Sequence, residues 1–179
     1  MVRPLPTEKN YHIFYQMMAG LNIDERKQLG LHGYTVKDLR YLNQGDLWSN
    51  EAQEIERFDK WKANLVVLGI PFMDVVKVMA AILLLGNVEF VEGNGKVDMI
   101  GKEELKSVSK LVGVTPALLL QGLTSKTHNV RGHLVKSSSD ADMVRIYSVT
   151  SKKTLANEYF NFSPMQREML WPRLFTVAQ

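Results

Sequence analysis

The stretch from Phe72 to Leu85 carries only two charges, Asp74 and Lys77, and is apolar on almost every side of a helical projection. A helix of that kind has no solvent face to present, so the rest of the chain must wrap around it. The flanking sequence supplies wrappers. Tyr11, Ile13, Phe14, Met17 and Met18 follow Glu8-Lys9-Asn10 at helical spacing, which predicts a helix over 8–19 that stops at Gly20. A short helix is predicted from Ile23 to Leu29, with Asp24 and Glu25 in its first turn and Gly30 past its end. Ile55, Phe58, Trp61, Leu65 and Leu68 recur at steps of 3, 3, 4 and 3 between an Asn50 or Ser49 cap and Gly69, the stripe of an amphipathic surface helix. Leu105, Val108, Leu111 and Val112 predict another helix closed by Gly113, and Thr115-Pro116 opens a last one through Leu120. With 45% hydrophobic residues in 179, the chain has enough apolar surface for the core of one domain.

Other segments read as turns. Thr35-Val36-Lys37-Asp38 has the capping-box form. Val88-Glu89-Phe90 and Lys96-Val97-Asp98 flank Glu92-Gly93-Asn94-Gly95, which predicts a small two-stranded hairpin. The fold class expected is therefore mainly α with one small β-hairpin. The apolar run Val78 to Leu85 falls far short of the roughly 20 residues that span a bilayer, so no membrane span is expected. No cysteine is present, which excludes disulfides and thiolate sites and fits a reducing compartment.

Charge is informative by position. The net charge of +3 is too mild to point to nucleic acid as a partner. Between Thr124 and Lys153, however, six cations (Lys126, Arg131, Lys136, Arg145, Lys152, Lys153) face only Asp140 and Asp142. Serine and threonine crowd this stretch and its apolar periodicity fades, so it reads as a flexible basic loop. The end of the chain holds Tyr159, Phe160, Phe162, Trp171 and Phe175, interrupted by Pro164 and Pro172, and forms no single clean helix in projection.

Sharper chemistry fails on inspection. Gly93-Asn94-Gly95-Lys96 lacks the glycine that a phosphate loop needs at position 90, where Phe90 stands, and Val97 replaces the metal-binding hydroxyl. His12, His32, His128 and His133 have no paired helical spacing suited to zinc. Ser137-Ser138-Ser139 beside Lys136 reads as a solvated run rather than a phosphate acceptor. No catalytic residue, cofactor-binding residue or metal ligand is assigned.

A family resemblance rests on longer segments. Glu8-x-Asn10-Tyr11-His12-Ile13-Phe14-Tyr15-Gln16 resembles a helix of myosin motor domains that follows the γ-phosphate-sensing switch. Tyr41-Leu42-Asn43-Gln44-Gly45, Phe58 through Leu68-Gly69, Ala80-Ala81-Ile82-Leu83-Leu84-Leu85-Gly86-Asn87-Val88-Glu89-Phe90, Leu111-Val112-Gly113-Val114 and Leu123-Thr124-Ser125-Lys126 are similar to later segments of that family, in the same order. The resemblance covers about residues 2–143 and implies the upper, actin-facing subdomain of an unconventional myosin motor, part of a P-loop NTPase fold without its nucleotide-binding core. Residues 144–179 depart from the family pattern and are expected to form a divergent tail.

The resemblance implies an actin-based, ATP-driven motor as parent, with Mg-ATP as the cofactor of the intact motor and none in this chain. The phosphate loop and both switches have no counterpart in the 179 residues, so no ATPase activity is expected from the chain alone. The chain is expected to be a fragment or truncated isoform. Its expected partners are the actin filament and the remainder of the motor, in the cytoplasm and actin cytoskeleton. The segment Lys126 to Lys136 falls where myosins carry an actin-contacting loop, which makes Lys126, Arg131, His133 and Lys136 the candidate contact residues. At the position where many members hold an acidic or phosphorylatable residue, this chain has His133. The competing expectation is a non-motor helical module that binds actin or another protein.

Overall fold

The computed structural model describes residues 9–44, 50–93, 96–130 and 133–138; residues 144–179, the expected tail, lie outside them. Six α-helices run α1 His12–Gly20, α2 Ile23–Gln28, α3 Glu51–Val67, α4 Phe72–Asn87, α5 Lys102–Val112 and α6 Pro116–Thr124, with a 3-10 turn at Val36–Asp38. Two antiparallel hairpins complete the described chain: β1 Glu89–Gly93 with β2 Lys96–Ile100, and β3 Ser125–Val130 with β4 His133–Ser138. The architecture is mainly helical, as the periodicities predict. The expectation of a single hairpin is corrected by the second one.

The all-round apolar helix is the centre. Every residue of α4 from Val78 to Leu85 is buried, and Val76, Met79, Ala80, Leu83 and Leu84 are fully so. Burying a leucine side chain contributes roughly 1.5–3 kcal/mol, so this one element supplies much of the drive to fold. On one side α5 packs on α4 through Leu105 and Val108. On the other, α3 connects to α1, and its Phe58 and Trp61 rings stack at 5.5 Å with Phe72 edge-on to Phe58 at 5.8 Å. The last residue of α1 must be small, because a Cβ on Gly20 would stand 2.2 Å from Phe58 Cδ1.

Caps settle the helix ends. In α2, Asn22 Oδ1 accepts from the Glu25 amide while Glu25 Oε2 accepts from the Asn22 amide, a closed reciprocal cap. Glu25 Oε1 also accepts from Lys62 Nζ on α3 at 2.7 Å. Partial burial alone would raise the Glu25 carboxyl, but the Lys62 ammonium and the Asn22 amide together hold it below its ordinary value. Asn50 Oδ1 accepts from the Gln53 amide and so caps α3, and Gly113 closes α5 in the left-handed conformation.

Three sequence expectations are corrected here. Helix α1 begins at His12 rather than near residue 8, because Asn10 turns the chain: its Nδ2 donates to the Tyr41 carbonyl and its Oδ1 accepts from the Tyr11 amide. Leu68 does not lie on the buried stripe of α3. It is 68% exposed, beside exposed Val66 and Val67, whereas Glu54 at the other end of α3 is buried and bridges to Lys9 at 3.2 Å. The buried face of α3 follows its contact with α1 and ends at Leu65. Helix α6 also continues past Leu120 to Thr124, closed by Thr124 Oγ1 donating to the Leu120 carbonyl.

Candidate functional site: a basic hairpin on a helical stem

The basic segment is carried outward from the core in steps. Helix α5 packs on α4, α6 packs on α5, and α6 passes into β3 without an intervening residue. Leu123, near the end of α6, is buried and anchors the base of the hairpin. Thr115 Oγ1 accepts from the Leu118 amide at the start of α6, fixing the entry to that helix.

The register of the hairpin is continuous from Ser125 opposite Ser138 to Val130 opposite His133, with Lys126 opposite Ser137 and Thr127 opposite Lys136 between them. Of the expected loop, residues 125–130 and 133–138 are strand, and residues 131–132 and 139–153 lie outside the described residues. The sequence did hold a signal for it: Thr127, Val130 and Val135 are β-branched residues around an Arg131-Gly132 turn dipeptide. What hid it was the absence of clean apolar alternation in the sequence.

Of the four candidate contact residues, Lys126 is on β3, and His133 and Lys136 are on β4. Arg131 lies outside the described residues. Because strand residues alternate between faces, Lys126 and His133 occupy register positions of one face and Lys136 a position of the other. From Ser125 to Ser138 the sequence holds Lys126, Arg131 and Lys136 and no carboxylate. That local charge equals the net +3 of the whole chain, so everything outside the hairpin is balanced.

No competing chemical centre is found among the described residues. They contain no group of three or more histidines, aspartates or glutamates placed to hold a metal ion. A cavity of about 300 Å³ lies between α1 and the 31–36 segment, lined by Tyr15, Met18, Arg26, Tyr34 and Glu51 among others. Its Arg26 guanidinium donates to the carbonyls of Met18, Leu21 and Tyr34, so its role is to tie the end of α1 to that segment. Tyr34 donates to Glu104 at 2.9 Å on α5, and burial together with that carboxylate pushes its hydroxyl up to about 12. The cavity therefore holds a structural cation and a structural phenol. Gly93 and Lys96, the ends of the segment set aside above as a phosphate loop, stand opposite each other in the β1–β2 register.

The segments that carried the family resemblance meet in space. Asn10 and Tyr15 bond the carbonyls of Tyr41 and Leu42, the latter through the Tyr15 hydroxyl at 3.1 Å. Asn87 accepts from the Arg40 amide and donates to the Asp38 carbonyl. A Cβ on Gly86 would lie 2.5 Å from the Tyr41 ring. Arg40 also pairs with Glu89. The stretches Asn10–Gln16, Tyr41–Leu42 and Ala80–Phe90 thus form one junction whose side chains are chosen for one another.

The family model for the myosin head (motor domain) matches residues 1–163. The chain belongs to the myosin motor-domain family. It is 33% identical over 135 residues to Myosin-J heavy chain of Dictyostelium discoideum, an alignment covering 70% of this chain and 6% of that protein. It is 29% identical over 186 aligned residues to Unconventional myosin ID of Drosophila melanogaster, covering all of this chain and 18% of that protein. A match of 31% over 149 residues reaches Chitin synthase 8 of Mycosarcoma maydis, covering 79% of this chain and 7% of that protein. The chain therefore corresponds to a small part of each relative. In this chain, a member of a family of cytoskeletal motor proteins, the basic hairpin follows the junction in sequence and stands on α5 and α6. No helix among the described residues is long and apolar enough to cross a membrane.

Proposed function

We propose that this chain supplies an actin-contacting surface to a myosin motor, with the β3–β4 hairpin as contact element and Lys126, Arg131, His133 and Lys136 as its working residues. The observation that carries this reading is the concentration of the chain's entire net charge on one hairpin held by a helical stem. Exposed lysine and arginine attract an acidic filament over about a Debye length, roughly 8 Å at physiological ionic strength, so the contact is weak alone and falls with salt. In this reading we put the boundary between the motor-derived part and the divergent tail at residue 143; the family match itself extends to residue 163.

The remainder of the motor is the second partner in this reading, and the cytoplasmic actin cytoskeleton its place of work. Mg-ATP belongs to the intact motor. The 179 residues offer no phosphate-cradling loop with its lysine and hydroxyl, so the chain by itself neither binds nor hydrolyses ATP. Two measurements test the proposal. Co-sedimentation of the chain with filamentous actin is expected to show salt-sensitive binding that is lost on neutralising Lys126, Arg131 and Lys136 together, and binding indifferent to those charges overturns it. Titration calorimetry with Mg-ATP is expected to show no saturable heat, and a micromolar site contradicts the non-catalytic assignment.

A further inference from the structure

We infer that His128, together with Lys126 and His133, forms one acid-responsive face of the hairpin, so that its contact with an acidic filament tightens as pH falls. This rests on the filament reading above and adds its regulation. The sequence pointed to His133 alone; the register brings in His128. His128 stands opposite Val135 and His133 opposite Val130, so the two histidines are diagonal neighbours at positions of the same face, and Lys126 is the next position along β3 on that face. Diagonal neighbours in an antiparallel pair are about 7–8 Å apart, close enough for two charges to interact. Lys136 belongs to the opposite face.

The charge on that face follows from ordinary imidazole chemistry. At pH 7.5 Lys126 is charged and both imidazoles are mostly neutral, and below about pH 6 each imidazole gains a proton. Among the described residues, α6 and β4, the elements that pack on β3, carry no carboxylate: α6 has no ionisable side chain, and β4 contributes His133 and Lys136. Like charges at neighbouring positions of one face disfavour each other, so the two protonations are expected to be coupled. An acidic surface docked on the face favours the protonated forms, and by linkage those forms favour docking.

The test uses the whole chain with stabilised actin filaments at pH 7.5 and pH 6.0, comparing the wild type with His128→Gln, His133→Gln, the double variant and Lys136→Gln. Two added surface charges correspond to an affinity gain of about threefold to tenfold on acidification. Each single histidine variant is expected to lose part of that gain and the double variant all of it, while Lys136→Gln weakens binding at both pH values and keeps the ratio. A double variant with the wild-type acid gain overturns the inference. Absence of pelleting at both pH values overturns the filament reading itself. The pairing is then judged separately by NMR titration of the histidine ring protons: His128→Gln is expected to raise the His133 midpoint, and an unchanged midpoint overturns the pairing.

Discussion

The junction of α1, the 38–42 segment and α4 is built by mutual exclusion, whereas the β3–β4 hairpin is built by charge and register. At the junction, Gly86 is glycine because Tyr41 occupies the space a Cβ would need, as Phe58 does for Gly20 where α1 meets α3, and Asn10, Tyr15 and Asn87 spend their polar atoms on neighbouring backbone. In the hairpin, three cations stand without a carboxylate on a stem that reaches the core through Leu123. The contrast teaches where each kind of change is felt. Substitutions at the junction change stability and leave surface charge alone; substitutions in the hairpin change surface charge and leave the core alone.

The largest effect that separates the two regions is expected from Leu83→Asp. Leu83 is fully buried in α4, and an unpaired carboxylate there costs at least about 4 kcal/mol. Loss of the cooperative thermal transition is the expected outcome; an unaltered melting curve breaks the view of α4 as the centre. Next comes Gly20→Ala. Its Cβ meets the buried Phe58 ring at 2.2 Å, so α1 and α3 must separate or the ring must leave its rotamer, at about 1–3 kcal/mol in chemical denaturation. Asn87→Ala removes the bonds to the Arg40 amide and Asp38 carbonyl at 3.0 and 2.8 Å and is expected to cost about 1–2 kcal/mol.

These positions differ in how plainly the sequence announces them. The apolar positions of α4 and the stripe of α5 are legible because burial forces a period on the chain, and the caps at Asn50 and Gly113 because helix ends need particular residues. The exposure of Leu68 and the burial of Glu54 were not legible. Both depend on which part of α3 meets α1, a long-range fact that periodicity within one helix does not contain. The second hairpin was missed for a different reason: its strands carry no clean apolar alternation, and only the β-branched residues around Arg131-Gly132 remained as a signal. Of the candidate contact residues, the chemistry of Lys126, His133 and Lys136 was readable, but their division between two faces needed the register, and with it came His128.

The smallest expected effect is a pH dependence of stability from the α2 cap. Glu25 is held below its ordinary value of 4.5 in the folded chain, so its stabilising contribution is present above the unfolded value and is lost as pH falls through the folded one. Denaturation midpoints are expected to decline below about pH 4.5, less steeply in Glu25→Gln. Equal slopes for the two proteins break the link between that carboxylate and its Lys62 and Asn22 partners. Asp38, held low by the Thr35 hydroxyl and amide, contributes in the same direction.

The division of labour between body and hairpin is tested most directly by one paired measurement on a single variant, Lys126→Gln with Arg131→Gln and Lys136→Gln. Its thermal melt and its co-sedimentation with filamentous actin are compared with the wild type at low and moderate salt. The account predicts a melting temperature within experimental scatter of the wild type and loss of the salt-sensitive pelleting. Pelleting that persists with its salt dependence intact, in a variant that melts as the wild type does, contradicts the assignment of the hairpin as the filament-contacting surface.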